Sequence, residues 1–298
     1  MDYRKLLSGV PNLLFDEPMS KHTTFKIGGT ADVLATPGTE TELEELLRLA
    51  KVHNIPVTLL VNASNVLVLD GGIRGLVIRT TGLKHLSIVG TTLIAGAGCS
   101  LGQVALAAAE AGLGGLEFAA GIPGSIGGAV FMNAGAYDGR MDMVVKAVRV
   151  RLPDGNYISL VADQLGFGYR ESALQENQGI VTSVLLQLVP KDKSLIRARI
   201  QELQKLRSDK QPLNMPSAGS VFKHIGEIYP AQVLDEMGLK GLAVGGAEVS
   251  TKHAGFIVNR GNATAKDVLQ LVEEIKGRVK DERNLDLEME IVKLGEEA

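Results

Sequence analysis

Residues 121–129 read Gly-Ile-Pro-Gly-Ser-Ile-Gly-Gly-Ala and run on through Phe131-Met132-Asn133-Ala134-Gly135-Ala136-Tyr137-Asp138-Gly139. One short stretch thus combines backbone freedom with a few small polar side chains. Glycines lack the Cβ that would hold a ligand off, and consecutive main-chain N–H groups can converge on a pyrophosphate oxygen. The same residues equally suit a tight turn beside a buried helix. A second small polar loop, Asn62-Ala63-Ser64-Asn65, joins the apolar runs 57–61 and 66–69, where it is placed to touch a ligand. Four further motifs carry polar groups: Tyr169-Arg170, Gly219-Ser220-Val221-Phe222-Lys223, the loop and strand of 245–259, and Leu287-Glu288-Met289-Glu290-Ile291. The last puts two carboxylates on one face of a terminal strand. Taken singly, these also read as a surface ion pair, a turn and a solvated face.

Several chemistries are excluded. No GxGxxG opens a helix directly after a strand, because Leu101 stands where Gly96-Ala97-Gly98 would need its third glycine; GxxxxGK[ST] and GxSxG are absent. Cys99 is the only cysteine, so the sequence offers neither an internal disulfide nor a cysteine zinc site, and a reducing, cytoplasmic setting is expected. The five histidines, at 22, 53, 85, 224 and 253, have no ligand spacing, and no metal is expected. A net charge of -3 with 22% charged residues gives no basic face for nucleic acid. No run of about 18 apolar residues predicts a membrane span.

The elements that must position these groups alternate along the chain. Thr39 and Glu42 form a capping pair for a helix bearing Leu43, Leu46, Leu47 and Ala50, which ends before Pro56. Residues 57–61 and 66–69 read as two buried strands, and 75–79 and 93–97 add two more. An alanine-rich helix is expected over 100–111. Val144 to Val150 and Tyr157 to Leu160 form a hairpin across Pro153-Asp154-Gly155, and a strand follows over 180–188. Residues 191–208 alternate charged and apolar side chains, and the main boundary falls near 190–212. Beyond it come helices around 231–237 and from Thr264 onward, and a terminal strand over 287–294.

Taken in order, these motifs resemble the UDP-N-acetylenolpyruvoylglucosamine reductase family, flavoenzymes that make UDP-N-acetylmuramate for peptidoglycan. The resemblance begins at Thr24-Phe25-Lys26-Ile27-Gly28-Gly29. It continues through Ser64-Asn65-Val66-Leu67, the 121–128 stretch, Tyr169-Arg170, Gly219 to Lys223 and Gly261-Asn262-Ala263-Thr264-Ala265 to Glu288-Met289-Glu290. It implies an α+β fold: an FAD-binding domain of the PCMH or vanillyl-alcohol-oxidase type with a smaller C-terminal α+β substrate domain. Residues 1–200 would form the FAD-binding region, in two subdomains, and 201–298 the substrate-binding domain. The spacing between Arg170 and Ser220 is similar to the shorter, type II branch.

The resemblance also assigns residues. FAD, held without a covalent link, would contact Asn62, Ala63, Ser64, Asn65, Val66, Gly121, Ile122, Pro123, Gly124, Ser125, Gly127, Gly128, Asn133, Gly135, Ala136 and Tyr137. NADPH would be the reductant. Tyr169, Lys223 and His224 would bind the substrate. Arg170 would polarise its carboxylate, with Glu290 assisting, and Ser220 would donate a proton. Ala63 stands where the family commonly has glycine, His224 where asparagine or a basic residue is usual, and Gln232 where lysine is frequent. The partners implied are small molecules alone, with a monomer or weak oligomer. An FAD-dependent oxidase or dehydrogenase on the same flavin domain would share residues 20–190 but need not carry Ser220 and Glu290; in a nucleotide-binding or flavin-carrying module without catalysis the C-terminal motifs would be structural.

Overall fold

The computed structural model describes residues 2–176 and 179–298; Met1, Asn177 and Gln178, all within the expected cofactor region, lie outside the described residues. Two compact units form, and neither is continuous in sequence. One takes the N-terminal residues through Leu13, then Ala35–Asn62 and Ile78–Arg207; the other takes Leu14–Leu34, Ala63–Val77 and Ser208–Ala298. The linear division expected at residue 200 therefore differs from the way the chain packs, because 14–34 and 63–77 pack with the C-terminal segment.

The first unit holds α1 (Tyr3–Leu6), α2 (Glu40–Val52), α3 (Leu101–Glu110), α4 (Ile126–Phe131) and most of α5 (Lys193–Lys210). Its sheet has five antiparallel strands in the order Tyr157–Val161, Val145–Arg151, Ile180–Gln187, Thr92–Gly96, Leu86–Val89. The period-two alternation of a strand turns Leu93, Ala95, Val148, Val150, Val184 and Leu186 into one buried core. Against it lies α3, with Leu101, Val104, Ala105 and Ala108 buried at helical spacing. Short α4 packs on the strands Thr92–Gly96 and Ile180–Gln187. Gly127 makes that possible: a Cβ there would stand 2.8 Å from the Cβ of Ala97. The expected cap of α2 forms, Thr39 accepting from the Glu42 N–H at 3.1 Å, but the Glu42 carboxylate accepts from Gly38 rather than from Thr39.

In the second unit, strands Ser217–Ser220, Phe256–Asn259, Ala247–Val249 and Ala243–Val244 form an antiparallel sheet in that order. Alongside α6 (Pro230–Glu236) comes α7 (Ala265–Arg283), which buries Val268, Leu271, Val272, Ile275 and Val279. Thr264 and Asp267 cap α7 reciprocally, and the Asp70 carboxylate accepts from the N–H groups of Ala265 and Lys266 at 2.9 and 3.0 Å. Buried Asn259 donates through Nδ2 to the Phe25 carbonyl at 3.1 Å, while its Oδ1 accepts from Gly261 and Ala263. One side chain thereby fixes both the N-terminal segment and the loop that starts α7.

Two expected strands need correction. Residues 57–61 do not form a strand buried on both faces: in Val57–Leu60 the side chains of Val57 and Leu59 are exposed and only Leu60 is buried. An apolar run alone does not distinguish two buried faces from one. The terminal strand shrinks to Val292–Leu294, paired parallel with Val66–Val68. Upstream of it, a single bridge joins Met289 to Phe222, so 287–291 is not a continuous ladder, and the chain bends at Ile291.

Asn259→Ala strands the Phe25 carbonyl and two loop amides, and is expected to cost about 1–3 kcal/mol in urea unfolding, whereas a loss below about 0.5 kcal/mol would contradict the role given to it. Glu117 lies buried beside Lys191 Nζ at 2.9 Å and the Gly115 N–H at 2.7 Å. Burial pushes its carboxyl pKa up, but the ammonium and the amides outweigh it and hold the value below the ordinary 4.5. A carboxyl depressed in this way adds stability above its unfolded value and loses it as pH falls through the folded one. Glu117→Gln is thus expected to flatten the acid limb of a plot of Tm against pH; parallel wild-type and variant limbs would contradict this.

Candidate functional site

In the first unit the glycine-rich turn is ordered by the chain itself. The Ile122 N–H donates to Ala119, Ile126 to Cys99 and Gly127 to Ala97, all carbonyls at 2.9–3.1 Å. Ser125 Oγ caps the Gly128 N–H at 3.3 Å, and the Gly124 carbonyl accepts from Leu101 at 2.9 Å. These contacts fix the turn through Gly121 and Gly124 on the end of α3. Downstream, Gly135–Ala136 pairs with Gly139–Arg140, and Tyr137 is left-handed at φ 51°.

Asn133 connects this stretch to the arginine motif. Buried, it donates through Nδ2 to the Gly168 carbonyl at 2.9 Å and accepts through Oδ1 from the Asp142 N–H at 3.0 Å. Ser172 donates to the Phe131 carbonyl at 2.7 Å, and the Gln175 amide reaches the carbonyls of Phe131 and Arg170, each at 3.0 Å. Between these ties Gly168 and Glu171 bridge each other, and Arg170 is forced to φ 60°. A non-glycine residue pays about 1–2 kcal/mol for that conformation, so the turn is over-determined by its surroundings. Its guanidinium stands 5.0 Å from the centre of the exposed Tyr169 ring, a cation–π distance.

In the second unit the C-terminal motifs lie side by side. The Glu290 N–H donates to the Val221 carbonyl at 2.7 Å, and the Lys223 N–H to the Glu288 carbonyl at 2.9 Å. The Asn65 side-chain amide donates to the Glu290 carbonyl at 3.1 Å, and its own carbonyl accepts from Val292 at 3.0 Å. Asn65 therefore clamps the backbone that carries Glu290. The two carboxylates part company: Glu288 is exposed and paired with Lys223 Nζ at 2.6 Å, whereas Glu290 is half-buried. Ser220 is exposed at a sheet position opposite Phe256, after Gly219 at φ 81°. His224 lies edge-on to Tyr229 with ring centres 4.4 Å apart. Ala63 is buried at φ 50°, the left-handed backbone that explains a glycine preference there.

The structure thus gathers Asn133, Tyr169 and Arg170 in one unit, and Asn65, Ser220, Lys223 and Glu290 in the other. Sequence reasoning missed the supports Asp70 and Asn259. Asp70 caps a helix 195 residues away, and no local pattern announces that. Among the described residues no three His, Cys, Asp or Glu side chains group to hold a metal ion, and no helix is long and apolar enough to cross a membrane.

Comparison with known proteins gives these features a family. Residues 31–160 match a family model described as an FAD binding domain. Residues 211–294 match one described as UDP-N-acetylenolpyruvoylglucosamine reductase, C-terminal domain. These matches bear out the expected α+β class, with an FAD-binding domain followed by a smaller C-terminal domain. The chain is similar to the UDP-N-acetylenolpyruvoylglucosamine reductase of Clostridium botulinum (strain Hall), 45% identical over 97% of this chain and 94% of the relative. It is similar to that of Syntrophomonas wolfei as well, 45% identical over 99% of this chain and 100% of the relative. A crystal structure of the enzyme from Thermus caldophilus superimposes with a TM-score of 0.82 at 38% identity, covering 95% of this chain and 98% of that one. With identity at this level along almost its whole length, the chain belongs to the UDP-N-acetylenolpyruvoylglucosamine reductase family.

Proposed function

We infer that this protein reduces UDP-N-acetylglucosamine enolpyruvate to UDP-N-acetylmuramate with NADPH as reductant and FAD as bound cofactor, in peptidoglycan precursor synthesis. Its ligands are small molecules, a cytoplasmic setting suits the single buried Cys99, and we take the chain to act as a monomer or weak oligomer. Family membership supports the reaction. The observation that carries the assignment of residues is Arg170, a half-buried guanidinium on a backbone strained to φ 60° and held by hydrogen bonds from both sides. Strain retained in this way accompanies function.

The residues present fit FAD. Residues 121–128 carry no acidic side chain and four glycines, so an anionic pyrophosphate meets no like charge and an approachable backbone. We assign cofactor contacts to Asn62 through Val66, to Gly121 through Ser125 with Gly127 and Gly128, and to Asn133 with 135–137. Most of the cofactor contacts fall in 1–200 and most of the substrate contacts in 201–298, Tyr169 and Arg170 being the exceptions among the latter, and no histidine or cysteine in 113–140 offers a covalent link. When bound, FAD supplies the hydride that passes from NADPH to C3 of the enolpyruvyl group.

The chain's own groups handle charge and proton. As electrons move onto the substrate, negative charge develops at C2 and spreads to the carboxylate. Arg170 is the fork that binds and polarises that carboxylate. Glu290, clamped by Asn65 and Val221, assists at the same carboxylate by sharing a proton with it, since a bare carboxylate would repel the developing charge. Ser220 Oγ delivers a proton to C2, a step a hydroxyl can perform because the carbanion is far more basic than an alkoxide. Tyr169, Lys223 and His224 orient the rest of the substrate.

Stopped-flow measurement of the two half-reactions tests this division of labour. Ser220→Ala is expected to slow flavin reoxidation by enolpyruvyl-UDP-GlcNAc by about 10²–10⁴-fold while NADPH still bleaches the flavin at the wild-type rate. Equal slowing of both halves would remove Ser220 as donor. Glu290→Gln is expected to slow reoxidation strongly and Glu288→Gln only slightly, since Glu288 is exposed and paired with Lys223. The reverse order would show that the wrong carboxylate has been chosen.

A further inference from the structure

Arg207 is a cation on the apolar face of a helix. Along α5 the buried side chains are Ile196, Ile200 and Leu203. Steps of four, three and four residues from Ile196 lead to Arg207, so it continues the stripe that packs inward. Ile196 and Ile200 pack with Ala109 of α3 and against Ala120, which immediately precedes the glycine-rich turn. The base of the helix is pinned nearby by Lys191 on Glu117 and by the pairing of Val189–Pro190 with Leu113–Gly114. The helix thus holds Arg207 against the turn: a Cβ on Gly121 would lie 3.2 Å from Arg207 Cδ.

Among the described residues, Arg207 Nε is buried with no hydrogen-bond partner, and no carboxylate forms a salt bridge with this side chain. Burial pushes its pKa below the ordinary value, with Tyr137 the group that partly opposes this. A guanidinium does not escape by losing its proton, so a buried N–H without an acceptor carries an uncompensated desolvation cost. An anion arriving at the turn would cancel that cost. Several amides of the turn are already engaged with protein acceptors, those of Ile122, Ile126, Gly127 and Gly128, and neutralisation must come largely from elsewhere. We propose that Arg207 is the fixed cation of the flavin site, donating across Gly121 to the pyrophosphate of bound FAD. This rests on the reading of the chain as an FAD enzyme.

The test compares FAD with riboflavin, which has the same ring system and no phosphate, by fluorescence titration of the flavin-stripped full-length chain. Arg207→Met keeps much of the apolar stem and removes the charge. It is expected to weaken FAD about ten- to a hundredfold, the worth of one charged hydrogen bond, and to leave riboflavin within about twofold. Arg207→Lys keeps the charge without the fork and is expected to fall between wild type and Arg207→Met. Equal weakening of FAD and riboflavin would make Arg207 a packing residue and overturn the proposal. So would unchanged FAD affinity, including the case in which only the reaction with NADPH slows and the cation serves that pyrophosphate instead. If circular dichroism shows Arg207→Met unfolded, the FAD-to-riboflavin ratio of Arg207→Lys decides in the same way. A wild-type chain that binds neither flavin would refute the flavoenzyme reading and this proposal together.

Discussion

Holding anions with a chain of net charge -3 is the constraint on which the rest of this structure depends. A pyrophosphate and a carboxylate must each leave water, and an uncompensated buried charge costs several kcal/mol or more. Long-range attraction cannot meet that cost here, so it falls to a few cations fixed one by one. Lys223 is already coupled to Glu288, and Arg170 stacks on Tyr169. Arg207 waits beside a turn that has no acidic side chain. In each case the sequence supplies the charge and the packing supplies its address.

The addresses are expensive in backbone terms. Arg170, Asn133, Tyr137 and Ala63 all stand at positive φ, where only glycine is at ease. Such positions persist because neighbouring hydrogen bonds leave no alternative. Asn133 and Gln175 do this for Arg170, and Asn65 does the equivalent for Glu290, whose backbone is tied at both N–H and carbonyl. Polar side chains that could be taken for ligand contacts thus act also as rigid supports, which limits how far a reactive group can wander.

Much of this was legible before any coordinates. The capped helices at Thr39 and Thr264, the hairpin across Asp154-Gly155 and the alanine-rich α3 follow from local rules, because their signals lie within a few residues. The run at 57–61 misled because apolar side chains do not say how many faces are covered. Glu288 and Glu290 share a spacing but not an environment: the ladder expected to hold them is one bridge at Met289, and Lys223 takes Glu288. Contacts such as Asp70 with α7 or Asn65 with Glu290 span most of the chain, and their partners are set by topology alone. Arg207 was not singled out either: residues 191–208 alternate charged and apolar side chains, and only packing settles that Ile196, Ile200 and Leu203 face inward while Leu195 is exposed.

One bound flavin carries reducing equivalents from NADPH to an enolpyruvyl ether. The visible spectrum of the purified protein under anaerobic conditions tests it most directly. A yellow protein that bleaches on adding NADPH and regains its colour on adding enolpyruvyl-UDP-GlcNAc, with UDP-N-acetylmuramate formed, is the predicted result. A flavin that NADPH bleaches but only oxygen recolours would contradict the account and indicate an oxidase on the same FAD-binding domain.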